Sequence, residues 1–97
     1  MKKQAVWNGK VIAETSEWTN IEGNYYFPAA DLKKEYFYDS STHTVCPWKG
    51  TASYYTVNVE GKKNEDAAWY YPETKDAAKH IEGKIAFWKG VEVRDAE

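Results

Sequence analysis

Apolar and polar residues alternate in short runs along this chain, and single Gly or Pro residues separate the runs as turns separate strands. The run "AVW", the pair Asn8-Gly9 and the run "VIAET" predict a hairpin, because Asn-Gly supplies the positive φ angles of a two-residue turn. "EWTNIEGNYYF" predicts a second turn at Glu22-Gly23-Asn24, leading into a strand that Pro28 ends. "AADLKKE" has room for one or two helical turns, and "YFYD" resumes an extended pattern. In "TASYYTVNVE", Thr51, Ser53, Tyr55, Val57 and Val59 share one face and Ala52, Tyr54, Thr56, Asn58 and Glu60 the other, so the first set is expected to point inward before Gly61 turns the chain. "AAWYYP" is a strand stopped at Pro72, and "KIAFW" and "VEVRD" are strands around Lys89-Gly90. Between them "ETKDAAKHIEG" carries acids early, Lys79 and His80 late and Gly83 just beyond, the polarity that a helix dipole favours.

These elements predict a mainly β fold: one domain over residues 1–97, a compact antiparallel barrel- or tent-like sheet with one short helix near residues 74–81. A chain of 97 residues buries roughly two-thirds of the surface its unfolded form exposes, enough for one core.

Composition sharpens this picture through the aromatics, eight Tyr, five Trp and three Phe. Adjacent strand residues point to opposite faces, so "YYF", "YFY", "YY", "WYY" and "FW" each force a ring onto both sides of a sheet. The outward rings must then cover edges with their tips in water, line a groove, meet a second layer, or form a subunit interface. A formal charge of -2 gives no grip on a phosphate backbone, so nucleic acid is not an expected partner. One Cys cannot close an internal disulfide, and with two His it leaves too few ligands for an ordinary zinc site; no metal is expected, and the sequence names no cofactor. The opening "MKKQAVWNGK" has no apolar run behind its lysines, and no stretch approaches the ~20 apolar residues of a membrane span. No membrane association and a cytoplasmic location are therefore expected.

The densest chemistry lies in "THTVCPWKGTASYY". A fully extended "VCPWKG" would put Cys46 and Lys49 on opposite faces. Pro47 presets φ for a turn and Gly50 supplies a residue able to leave it at positive φ, which brings the two within reach. Cys46 then has two readings: a small buried apolar residue, or a thiolate favoured by a neighbouring ammonium. Lys49 is either a solvated strand-end lysine or a charge stabiliser. His43 is either an exposed loop residue or a base, and Trp48 either a core plug or a stacking platform. A catalytic Cys also needs an orienting group, for which Asp66, Asp31 and Glu73 are candidates.

The segments "WNGKVIAET", "IEGNYYFPAADL", "THTVCPWKGTASYYTV" and "NEDAAWYYPETKDAAKHIEGKIAFW" resemble, in that order and over nearly the whole chain, the Domain of Unknown Function 427 family of small bacterial and fungal proteins. The cysteine-proline-aromatic-lysine-glycine core is the most specific motif shared. The resemblance implies a compact antiparallel β domain and no particular activity. By motif match it points to Tyr26, Pro28, Cys46, Pro47, Trp48, Lys49, Gly50, Tyr54, Asp66, Trp69, Tyr71 and Pro72. A nucleotidyltransferase-like label is sometimes attached to the family, but this chain lacks the paired carboxylates on a glycine-serine turn that such chemistry uses.

The leading expectation is a binding or catalytic pocket for a small molecule, walled by Tyr26, Trp48, Tyr54, Trp69 and Tyr71, with the Cys46–Gly50 turn at its mouth. As an enzyme it would use Cys46 as reactive group, Lys49 as charge stabiliser and His43 or Asp66 as proton carrier. The alternatives are an interaction module that forms homo-oligomers or meets a protein partner, and a nucleotide-handling enzyme.

Overall fold

A computed structural model describes residues 1–96. The strands are β1 (Lys2–Trp7), β2 (Lys10–Thr15), β3 (Thr19–Ile21), β4 (Asn24–Tyr26), β5 (Phe37–Cys46), β6 (Gly50–Val59), β7 (Lys62–Tyr70), β8 (Ile85–Phe87) and β9 (Glu92–Ala96). They form three antiparallel sheets, ordered β2-β1-β9, β3-β4 and β5-β6-β7-β8. The mainly β reading is correct, and the sheets do not close into a barrel. Phe27 continues β4 by exchanging two backbone hydrogen bonds with Ile85 of β8, at 2.7 and 2.8 Å, and Pro28 follows at once. Proline has no N–H to extend the ladder, so the seam between those sheets stays one residue pair wide.

Hairpins form where the turn chemistry placed them. Asn8-Gly9, Glu22-Gly23 and Glu60-Gly61 all have positive φ at both central positions, as a two-residue turn that follows strand twist demands. The expected short helix is a pair of 3-10 turns over Asp76–Ile81, meeting at a kink at Ala78 (φ −119°, ψ 19°). A segment this short holds helical geometry only through tertiary burial, and Ala78 and Ile81 are both fully buried. "AADLKKE" likewise yields two 3-10 turns, Ala29–Asp31 and Lys34–Tyr36.

The four-stranded sheet has a core on each face. One, with Ile12, Phe27, Val57, Val59, Ile85 and Phe87, lies against the three-stranded sheet. The other gathers Tyr26, Ala52, Tyr71, Ala78, Ile81 and Ala86, with Cys46, Tyr54 and Trp69 packed against it. The expected inward face of β6 therefore holds only for part of its length. Val57 and Val59 are buried, but near the start Ala52 is buried and Thr51 exposed. The 3-10 segment and β4 cover the opposite face there.

Two irregularities flank the middle of β6. On β5, the four steps from Asp39 to His43 face the two from Tyr55 to Ser53; on β7, the four from Asn64 to Ala68 face the two from Val57 to Tyr55. Asp66, in the second bulge, has φ +58°. No helix among the described residues is long and apolar enough to cross a membrane.

Candidate functional site

Along β6 the residues Ala52 and Tyr54 share a face, and their cross-strand neighbours share it with them. Thr44 lies opposite Ala52, Cys46 opposite Gly50, and Trp69 opposite Tyr54 and Ala86. Lys49, Tyr54, Trp69, Tyr71 and Trp88 line a cavity of about 170 Å³ on this face. Its walls are braced by contacts between rings. Trp69 meets Trp88 edge-on at 5.7 Å and Tyr26 at 6.3 Å, and Tyr54 is tilted on Trp88 at 6.5 Å. Polar tips are tied off as well: the Trp69 indole N–H donates to the Tyr26 hydroxyl at 3.2 Å, the Trp88 indole N–H to the Asp66 carbonyl, and the hydroxyls of Thr44 and Tyr54 lie 2.8 Å apart.

Lys49 reaches the cavity from the loop that joins β5 and β6. Pro47, Trp48 and Lys49 form that loop and Gly50 leaves it at φ +125°, where a Cβ would stand 3.0 Å from the carbonyl oxygen of Glu73. Only glycine fits both the dihedral and the space. The segment after β7 clamps the loop from outside: the Lys75 N–H donates to the Lys49 carbonyl at 3.0 Å and Lys75 Nζ to the Pro47 carbonyl at 2.7 Å. Glu82 in turn accepts hydrogen bonds from the Thr74 N–H and hydroxyl and from Lys79 Nζ.

The clamp turns the Lys49 side chain inward, leaving it 8% exposed. Its Nζ donates to Glu22 Oε1 at 2.6 Å and lies 5.0 Å from the Trp48 ring centre and 5.9 Å from that of Tyr71. Burial pulls the Lys49 pKa down, but the Glu22 hydrogen bond, Tyr26, Tyr71 and the Glu22 charge outweigh it and hold the group above the ordinary lysine value. Lys49 is thus a fixed ammonium rather than a nucleophilic amine. Tyr71 is pushed up to about 12, first by burial, with Lys49 pulling the other way and Tyr26, Cys46 and Tyr54 adding to the rise. Its phenol remains a proton donor at neutral pH.

The sequence candidates thus separate into groups. Lys49, Tyr54, Trp69 and Tyr71 come together at the cavity, Trp48 covers the ammonium, Tyr26 supports the wall from the core, and Gly50 shapes the loop. Cys46, half-buried and free, packs against the second core beside them. His43 is not with it. Three regular steps along β5 separate the two, which places them on opposite faces, and His43 Nδ1 lies 3.3 Å from Ser53 Oγ.

Asp66 belongs to a different place. Its carboxylate accepts hydrogen bonds from Ser40 Oγ and, at 2.8 Å, from Thr42 Oγ1, tying the two bulges together across β6. The Ser40 bond is the largest influence and holds the carboxyl below its ordinary pKa; burial opposes, while Thr42 and Lys89 assist. A carboxylate so held is a weak proton carrier at neutral pH, and Thr42 alone is about 13 Å along the strand from Cys46 at the usual rise per residue.

Two members of the site were absent from the sequence candidates. Glu22 was visible as a turn residue only, although a glutamate at a positive φ, here +55°, where Asn or Asp is favoured, is a signal worth following. Trp88 stood in the "FW" pair that forces one ring to each face, and it is the exposed member, at 45%.

No curated protein matches the chain. The sequence model of the domain of unknown function DUF427 matches residues 2–96, through the loop, the clamp and every wall of the cavity, and the chain therefore belongs to that family.

Proposed function

We propose that this protein binds a small, single-ring planar molecule in the aromatic concavity, with Lys49 at its floor and the Cys46–Gly50 loop at its mouth. The observation that carries the reading is an ammonium only 8% exposed, yet forming part of the lining of a concavity whose other residues are aromatic. A protein gains little stability from burying such a charge, since apolar replacements of buried ion pairs are often neutral or better. Aromatic walls with a few convergent polar groups are the usual form of a ligand site. At about 170 Å³ the space is close to the ~150 Å³ that accommodates benzene in an apolar cavity.

Binding is favoured over covalent catalysis. His43 projects from the far face of β5 and Asp66 is engaged by Ser40 and Thr42, so Cys46 is assigned a packing role at the second core beside the cavity. The reading is tested by titrating one-ring aromatic compounds against tryptophan fluorescence and thermal unfolding. A binder present at about 100 times its Kd should add about 2.7 kcal/mol of stability, and Trp69→Leu or Lys49→Met should remove that gain. A ligand whose binding is indifferent to both substitutions would place its site elsewhere.

A further inference from the structure

The Lys49–Glu22 pair is unequal. The lysine side chain is 8% exposed and the glutamate 56%. Glu22 sits at the tip of the β3–β4 turn at φ +55°, followed by Gly23 at +82° with open space around its Cβ position. Releasing Glu22 into water needs only a side-chain rotation, and the carboxylate recovers its hydration. Lys49 has no such route, because its ammonium lies beneath Trp48 and Tyr71 and needs a counter-charge wherever Glu22 goes.

From this asymmetry we propose that Glu22 holds the place of the ligand's own anionic group, and that the cavity takes a one-ring aromatic carboxylic acid whose carboxylate replaces Glu22 on Lys49. The inference rests on the binding reading above. Exchange of one carboxylate for another leaves the buried charge balanced. The incoming ring would meet the faces and edges of Tyr54, Trp69 and Trp88, which line the same cavity as the ammonium. Tyr71, whose pKa of about 12 keeps its phenol protonated, adds a hydrogen-bond donor beside Lys49. A neutral amide of the same shape lacks the charge to displace Glu22. The intramolecular carboxylate therefore acts as a competitor that lowers apparent affinity by the fraction of molecules in which it is seated, and it selects for acids strong enough to be ionised.

The experiment is a titration of the full chain with benzoate and with benzamide, its uncharged counterpart, followed by calorimetry and tryptophan fluorescence. Glu22→Gln removes the competitor's charge. Glu22→Asp withdraws it by one methylene and provides a second route should the first variant fold poorly. Either should bind benzoate about tenfold more tightly than the unaltered chain, with benzamide affinity changed by less than about twofold, and Lys49→Met should lose benzoate selectively. Equal benzoate affinity in the unaltered chain and both Glu22 variants would overturn the displacement and leave the binding reading standing. Failure of both probes to perturb any folded variant would overturn the binding reading itself.

Discussion

The two faces of the four-stranded sheet are built from the same strands, and often from adjacent residues, yet they differ in kind. Tyr55 and Tyr70 stack at 4.7 Å on one side, while their chain neighbours Tyr54 and Trp69 stand opposite each other on the other. Phe87, 8% exposed, packs edge-on against Phe27 at 5.2 Å; the next residue, Trp88, is 45% exposed. The first face lies against the three-stranded sheet, so its rings exclude water by packing on aliphatic side chains. On the second face the layer of β4 and the 3-10 segment covers part of the sheet, and an ammonium stands where a further apolar residue would complete the core. The difference follows from the covering layer, since the doublets supply rings equally to both faces.

The sharpest separation of the faces comes from removing one ring from each. Phe27→Ala, at a fully buried position, should lower the urea-unfolding free energy by about 3–5 kcal/mol, the range for a large core aromatic. Trp88→Ala should cost less, about 2 kcal/mol, for a half-buried ring and the hydrogen bond that its indole makes to the Asp66 carbonyl, while abolishing ligand binding. Equal losses would mean that Trp88 is core and the second face is closed.

A smaller effect is expected at the loop that carries the ammonium. Gly50→Ala must hold φ near +125° and push against the Glu73 carbonyl, so it should cost about 1–3 kcal/mol. The damage is local to the second face. Nuclear magnetic resonance shifts should change around Lys49, Lys75 and Tyr71 and leave the Tyr55–Tyr70 stack unmoved.

These particular residues also show what the sequence could and could not reveal. Asn8-Gly9, Glu22-Gly23 and Lys89-Gly90 were legible because positive φ narrows the choice of residue, and the aromatic doublets announced a sheet with rings on both sides. The loop at Pro47 was legible for the same local reason. The bulges were not: Ser40-Ser41-Thr42 and the Asp66 region carry no apolar alternation, and their register is set by cross-strand bonds between residues 24 and 26 positions apart. The Glu22–Lys49 pair spans 27 residues, and Asp66 looked like a proton carrier until its hydroxyl partners were visible. Long-range pairing is decided by which layers meet, and no local pattern encodes it.

The faces should also part company under pH. Lys49, with its folded pKa raised, and Tyr71 and Tyr55, each at about 12, contribute stability that is complete below their unfolded values near 10 and is lost as pH climbs through the folded values. Alkaline unfolding therefore draws on both faces, and the share of tyrosinate absorbance that comes from Tyr55 and Tyr71 should rise only with the loss of structure. In acid the largest shift is at the clamp, while Glu14 on β2, through Gln4 first, and Asp66, through Ser40 first, are also held below their ordinary values. Glu82, lowered to about 2 by Lys79 first and then by the two Thr74 bonds, contributes stability above its unfolded value of 4.5 that disappears as pH falls towards 2. The clamp on the Lys49 loop should loosen in that window, and Glu82→Gln should abolish its share of the acid response.

The least effect is expected at Cys46, and that modesty is informative. The thiol is half-buried at the margin of the second core, with His43 on the other face of its strand and the Lys49 charge already met by Glu22. Cys46→Ser exchanges sulfur for a smaller, more polar atom at a partly solvated site, so stability should fall by less than about 1 kcal/mol. Ligand affinity should change by less than about threefold, since Cys46 packs beside the cavity rather than lining it. A reactive cysteine would behave in the opposite way, with turnover gone and affinity retained. Measuring binding and unfolding on the same Cys46→Ser sample thus asks whether the open face is a receptor or a reaction centre: a ligand consumed by the unaltered chain and merely bound by the variant would return the sulfur to the mechanism.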